Sequence, residues 1–173
     1  MTLSLEHEAE TWGSYFGGLN HGTIYNGLTT ASLAVDLDKL VGWPNARFFV
    51  SAFDIQGHGP STSLVGNFQL ISNIEATPNL KLYDLWLEQE LFNRTLSVRF
   101  GQEGANDEMM LTKYGALFLN SSFGFPGLPA ADLPSGGPNY PMAAPFVRVR
   151  YASDKLTLTG ALSSAMQPAP PFA

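Results

Sequence analysis

The chain has 173 residues, which is long enough for a single domain with a substantial core. Its net charge of -6 argues against a nucleic-acid partner, because phosphate binding needs clustered lysine and arginine. Cysteine is absent, which excludes disulfides, thiolate metal sites and cysteine nucleophiles. The three histidines are far apart and show no ligand spacing, so no metal site is expected.

The N-terminal stretch MTLSLEHEAE has neither the basic nor the apolar region of a signal peptide, so we expect none in this chain.

The stretch TLSLEHEAETW alternates Leu3 and Leu5 with Glu6, Glu8 and Glu10. Such alternation is typical of a strand with one apolar face. After the glycine-rich bend FGGLNHG, the stretch TIYNGLTTASLAVDLDKL alternates in the same way. A third strand is predicted in ARFFVSAFDIQG, after the short connection VGWPN, and a long polar loop covers 57–79.

The stretch LYDLWLEQELF fits either an amphipathic helix or a strand. Leucine and glutamate favour a helix, but a helical face would leave Leu87 and Leu91 outside the apolar stripe. The next run, LSVRFG, also alternates, so the pattern predicts a hairpin that turns at 93–95. One face of this hairpin is apolar, and the other carries five residues: Asp84, Trp86, Glu88, Glu90 and Arg99.

A very long segment, 104–144, precedes a last predicted hairpin formed by PFVRVRYAS and LTLTGALSSAM. In this hairpin Val147, Val149 and Tyr151 share one face, and Arg148 and Arg150 share the other. The connections between the predicted strands therefore alternate between short and long. This order is typical of an up-and-down outer-membrane barrel, whose strands are apolar toward lipid and polar toward the lumen.

About seven strands are predicted, and the first and last have no partner. Bacterial single-chain barrels have an even number of strands, at least about eight, and a sheet in lipid must close. We therefore expect residues 1–173 to be one domain and a fragment, with the rest of the barrel following residue 173.

Six blocks resemble, in this order, the N-terminal part of the carbohydrate-selective porins of the OprB family. They are GWPNARFFVSAFDIQGHG, VGNFQLISNIEA, KLYDLWLEQELF, LSVRFGQ, DEMMLTKYGALFLNSSFGFP and ADLPSGGPNYPMAAPFVRVR. The resemblance implies a bacterial outer-membrane barrel of about sixteen antiparallel strands through which sugars diffuse into the periplasm. The chain departs from the pattern at Phe146, where a glycine is expected, and at Met109 and Met110, where aromatic residues are usual.

The 104–144 segment is the main functional candidate, because loops this long often carry function. Its part MMLTKYGALFLN is apolar enough for a short helix, and the resemblance implies that the loop folds into the barrel and narrows it. The residues predicted to line the pore and contact substrate are Arg99, Arg148, Arg150, Asp84, Trp86, Glu88, Glu90 and Glu103. Guanidinium and carboxylate groups there would hydrogen bond sugar hydroxyls, and Trp86 would stack on a sugar ring. Alternatively, the arginines cross-link the wall to its loop and Trp86 is a structural aromatic.

Four aromatic residues are predicted to lie on the outer face, at the lipid boundary: Trp43, Tyr83, Phe100 and Tyr151. The predicted partners are carbohydrates and outer-membrane lipid, with no cofactor and no catalytic residue. The sequence leaves open whether the pores associate as homotrimers.

Two other functions fit parts of the pattern. Glu88 and Glu90 are two residues apart on one strand face, which separates their backbones by about 6.6–6.8 Å. Inverting glycosidases hold their carboxyls about 6.5–9.5 Å apart, and Glu6, Glu8 and Glu10 offer the same spacing. Any strand with a polar face makes such pairs. A soluble sugar-binding β-sandwich would instead bury its apolar faces against each other, and it does not require short and long connections to alternate.

Overall fold

The computed structural model describes residues 1–109, 114–125, 132–133 and 136–164. Within these ranges seven strands form one antiparallel sheet, and each strand pairs with the next along the chain. The strands are β1 (Thr2–Ser14), β2 (Gly22–Asp36), β3 (Ala46–Gly57), β4 (Asn79–Leu91), β5 (Leu96–Glu103), β6 (Ala144–Ala152) and β7 (Thr157–Ser163). The predicted all-β, up-and-down arrangement is confirmed, and so is the hairpin over residues 80–102, which is β4 and β5.

Short helical segments lie in the connections. The first, α1 (Leu37–Val41), was predicted as the end of a strand and is instead a single helical turn. Asp36 caps it by accepting hydrogen bonds from the backbone N–H groups of Asp38 and Lys39, at 3.2 and 3.4 Å. Among the described residues, no helix is both long enough and apolar enough to cross a lipid bilayer.

The long loops hold a π-helical turn, Ser61–Val65, and two 3₁₀ turns, Gly115–Leu117 and Ser121–Phe123. The short helix predicted in MMLTKYGALFLN falls partly on 110–113, which lie outside the described residues. The described remainder of that stretch contains the 3₁₀ turn Gly115–Leu117.

One face of the sheet is apolar and uncovered. Leu5 and Leu162, on the first and last strands, are 74% and 83% exposed, and Val149 is 45% exposed. The pairing register places Phe100 beside Val147, and Val98 beside Val149, on this same face. Such exposure of apolar side chains is unusual on a protein surrounded by water. Because the described strands make a single sheet, the β-sandwich interpretation is wrong.

The opposite face is covered by the long loops. A buried apolar cluster forms between the sheet and these loops, and its members are Leu28, Phe53, Ile55, Ile74 and Tyr83. Tyr140, from the 104–143 loop, packs against Phe53 with ring centroids 5.5 Å apart. Its hydroxyl donates a hydrogen bond of 2.8 Å to the Ile74 carbonyl in the 58–78 loop. The core of this molecule therefore lies between the sheet and its own loops.

The two long loops also bind each other. The backbone N–H of Asn73 donates to the Leu119 carbonyl at 2.8 Å, and the Asn73 amide donates to the Phe118 carbonyl at 2.8 Å. Within the 58–78 loop, buried Glu75 accepts hydrogen bonds from the backbone N–H and the hydroxyl of Ser61, at 2.9 and 2.7 Å. These bonds satisfy a buried carboxylate and hold the loops together over one end of the sheet.

The position of Tyr83 differs from the prediction. Tyr83 is only 3% exposed and stacks on Phe53, with ring centroids 4.2 Å apart, on the covered face. The cause is a shift in the pairing of β3 with β4 between Val50 and Ala52, which leaves Tyr83 and Asp84 together opposite Ser51. A β-bulge of this kind turns two successive residues to one side. The other three residues of the predicted outer set, Trp43, Phe100 and Tyr151, are 46%, 51% and 43% exposed.

Candidate functional site

The strand pairing arranges polar residues in rows across the covered face. The row nearest the short turns contains Glu90, Ser97 and Arg150, which are successive partners across β4, β5 and β6. The next row is Glu88, Arg99 and Arg148, and the third is Trp86, Gly101 and Phe146. Glu103, beside Ala144, and Asp84, beside Ser51, lie farther toward the long loops. All eight residues predicted to line the pore therefore lie on this face.

An ion-pair network occupies the second row. The two carboxylate oxygens of Glu88 bind different arginines, with Oε1 3.0 Å from Nη2 of Arg148 and Oε2 3.0 Å from Nη2 of Arg99. Arg99 also binds Glu103, with 2.7 Å between Nη1 and Oε1. These are short, charge-assisted hydrogen bonds, roughly twice as strong as neutral ones.

Glu108, in the 104–143 loop, completes the network and was not predicted. Its Oε2 accepts a hydrogen bond of 2.8 Å from Nε of Arg148 and lies 3.3 Å from Nη1 of Arg99. The acid is visible in the block DEMM, within the loop expected to fold inward. No periodicity links that acid to a particular strand, however, so its partners could not be predicted from the sequence.

The network is mostly buried. Arg148 is 1% exposed, and Glu88, Glu103 and Asp84 are also buried. Two arginines here bind three carboxylates, so both guanidinium charges are paired within the protein, and only Nε of Arg99 lacks a hydrogen-bond partner among the nitrogens of these two groups. The contacts show that Arg99 and Arg148 cross-link the sheet to the loop, which was the alternative interpretation of these arginines.

Trp86, in the third row, packs against two side chains. Its ring stacks on Phe49, with centroids 5.1 Å apart, and the guanidinium carbon of Arg99 lies 3.9 Å from the Trp86 ring centroid. A cation over an aromatic face is attracted by the ring quadrupole. These contacts favour the structural interpretation of Trp86, in which it holds Arg99 in place, over stacking on a sugar ring.

A second group of acids lies where β4 and β5 meet the loop. The hydroxyl of Ser51 donates a hydrogen bond of 2.7 Å to Asp84. The Tyr83 hydroxyl donates to Asn106 at 3.1 Å, and the backbone N–H of Gly104 donates to Asp107 at 3.2 Å. Burial, with the negative charge of Asp84 beside it, raises the pKa of Asp107 to about 7. The loop therefore begins at a turn that favours a neutral carboxyl at Asp107.

The row at the short turns has a different charge balance. Glu90 lies 3.5 Å from Nη2 of Arg47 and 3.2 Å from Nε of Arg94. Arg150 is exposed, and no ion pair or hydrogen bond joins its side chain to any other described residue. Cations therefore exceed anions at this end of the face.

These contacts also bear on the enzyme interpretation. The Glu88 and Glu90 carboxylates each bind two arginines, which is the arrangement of a structural ion-pair network and not of a free general acid and base. The described part of the chain contains no cluster of three or more histidine, aspartate or glutamate side chains that could hold a metal ion.

An up-and-down sheet with an exposed apolar face, and a charged face covered by its own loops, defines the class of porin-like barrel proteins. Comparison with protein families agrees: residues 20–172 match the family "Carbohydrate-selective porin, OprB family". The chain belongs to this family.

A solved structure has the same fold. It is a high-pH structure of OprB from Pseudomonas putida, with a TM-score of 0.74 and 22% sequence identity. The match covers 87% of this chain and 37% of that chain, so this chain spans well under half the length of the solved protein. Comparison with curated proteins gives no significant match.

Proposed function

We propose that this chain forms part of the wall of a bacterial outer-membrane channel for the passive, selective diffusion of carbohydrates. The observation that carries this proposal is the contrast between the two faces of the sheet. Apolar side chains such as Leu5 and Leu162 are exposed on one face, and arginines and carboxylates lie on the other. Hydrocarbon suits the first face and an aqueous lumen the second. The partners of this wall are lipid outside and sugar inside.

A working channel also needs closure. Of the described strands, β1 and β7 each have one neighbour, so the sheet has two edges with unpaired backbone groups. Unpaired backbone groups are costly in lipid, and a closed barrel removes them. The channel is therefore completed by further strands, to about sixteen in all as family membership suggests.

The 104–143 loop supplies the constriction in this proposal. Glu108 binds two arginines of the wall, Tyr140 packs on Phe53, and Asn106 accepts a hydrogen bond from Tyr83. All three contacts are on the face assigned to the lumen. A loop attached at these points occupies part of the lumen and reduces its cross-section.

The predicted pore-lining residues take two roles. Three of them, Arg150, Glu90 and Arg99, have solvent-accessible side chains. These side chains are positioned to form hydrogen bonds with the hydroxyls of a passing sugar. The buried residues Arg148, Glu88, Glu103 and Asp84 fix the loop and the exposed groups in place. Diffusion along such a surface needs no cofactor and no covalent step, and the family is one of porins rather than of enzymes.

The test is uptake into liposomes by the full-length protein that carries this chain. We expect glucose-sized sugars to enter faster than peptides of similar size, and Arg99→Ala to change sugar flux or ion selectivity. Lys39→Ala is the matched control, because Lys39 is an exposed cation on α1, outside the lumen face. Equal rates for sugars and peptides would refute the selectivity, and absence of flux would refute the channel.

A further inference from the structure

A recess lies on the covered face at the short-turn end of the sheet. It has a volume of about 230 Å³. Residues from the start of β3, the end of β4, the start of β5 and the end of β6 line it, together with Arg94 in the turn between β4 and β5. Its inner part is lined by Glu88, Arg99 and Arg148 of the ion-pair network, and its outer part by side chains that the loops leave accessible.

The charges in this recess do not balance. Glu90 is shared by Arg47 and Arg94, and Arg150 adds a third guanidinium. Glu88 also lines the recess, but both of its carboxylate oxygens are bound to Arg99 and Arg148. The outer part of the recess therefore presents three guanidinium groups against a single carboxylate.

The guanidinium of Arg150 has hydrogen-bond donors that no other described side chain uses. It has no ion-pair or hydrogen-bond partner among the described residues, and it is exposed. Its neighbours in the row across the sheet are Ser97 on β5 and Thr159 on β7, both neutral hydroxyl residues. A guanidinium has five N–H donors in a planar fork that matches a carboxylate or a phosphate. The fork of Arg150 is thus available to an anionic ligand.

Charge is also segregated along the sheet. In the row toward the long loops, two arginines bind Glu88, Glu103 and Glu108, so carboxylates are in excess there. Asp84 lies farther toward the loops and adds to that excess. A negatively charged solute is therefore favoured at the short-turn end over the loop-side rows.

We propose that this recess is a binding subsite for an acidic sugar, whose carboxylate or phosphate is held by Arg150 and whose hydroxyls donate to Glu90. Glu90 decides the class of ligand. A simple anion has no hydrogen-bond donor for this carboxylate, whereas a sugar acid presents hydroxyl donors to it beside its own charge. The inference rests on the proposed channel function and extends the substrates from neutral to acidic sugars.

The test compares uptake of glucuronate, glucose and acetate by the full-length protein in liposomes. Arg150→Gln should lower the ratio of glucuronate to glucose uptake about tenfold, on the scale of one charge-assisted hydrogen-bonded pair. Lys155→Gln is the matched control, since it removes the same charge from the neighbouring turn, outside the recess, and should leave the ratio unchanged.

Each other outcome overturns a stated part of the proposal. An equal fall in both variants would mean that long-range charge, and not a subsite, attracts the anion. An equal loss of acetate and glucuronate uptake in Arg150→Gln would show that the site does not recognise the sugar. No fall in either variant would remove Arg150 from anion binding. Absence of glucose uptake by the unmodified protein would instead refute the channel itself.

Discussion

Replacing Glu108 with glutamine tests whether the 104–143 loop is held to the wall by its ion pairs. Glutamine keeps the size of the side chain and one carbonyl acceptor, but it removes the negative charge. The Glu108 side chain is 23% exposed and contacts both Arg99 and Arg148. In this variant Arg99 retains its ion pairs with Glu88 and Glu103, and Arg148 retains its ion pair with Glu88. The sheet should therefore remain folded while the loop is released.

The magnitude follows from the contacts. Hydrogen bonds to charged groups contribute about 1.5–3 kcal/mol each, and glutamine retains part of one. A loss of about 2 kcal/mol in docking free energy raises the undocked population about 30-fold. If the loop narrows the channel as proposed, undocking of the loop should widen the channel for as long as the loop stays undocked.

Single-channel currents in planar bilayers measure this population directly. The Glu108→Gln channel should spend more time at a higher conductance level and switch between levels more often. Glu8→Gln is the matched control: Glu8 is an exposed acid opposite Leu28, on the same face, and contacts no arginine among the described residues. If the two variants change the conductance equally, charge alone is responsible and the loop contact has no role.

Three further predictions concern stability and pH. Arg148→Ala should lower the thermal unfolding temperature in detergent, because breaking a buried ion pair costs about 3–5 kcal/mol; an unchanged value would contradict the buried network. Gly101→Ala should disrupt the pairing of β4 with β5 and reduce the β-sheet signal in circular dichroism, since the φ of Gly101 is +145° and a Cβ would lie 2.1 Å from a backbone oxygen of β4. Gly160→Ala, where a Cβ meets nothing within 4 Å, should fold normally. Burial raises the pKa of Asp107 from 3.8 to about 7, so loop docking should weaken as the pH rises through that interval. Conductance switching should increase accordingly, and Asp107→Asn should reduce this pH dependence.

The alternation of residues was sufficient to predict the sheet. Successive side chains in a strand point to opposite faces, so the order of apolar and polar residues in each strand predicts which of its sides is apolar. Leu5 and Val149 were assigned to the apolar face in this way, and both are exposed in the structure. The order of short and long connections then gave the up-and-down topology, because each short connection can join only neighbouring antiparallel strands.

Two local features could not be predicted by counting alternate positions. The bulge that turns Tyr83 inward depends on how β4 pairs with β3, and this pairing is a property of two strands together. The helix α1 interrupts a stretch with strand periodicity because Asp36 caps it, and the competition between cap and strand is not visible in the pattern.

The sequence by itself determined that this chain forms antiparallel strands with one apolar and one charged face, and it assigned several charged residues to that face, although not Arg47. Only the tertiary structure decided which of those residues are buried, which bind one another, and which, like Arg150, remain accessible. The physical reason is that Glu108 and Arg148 are 40 residues apart and meet because a non-repeating loop docks on the sheet. Periodicity specifies the direction of a side chain from its own strand, whereas burial and ion pairing depend on what packs against it.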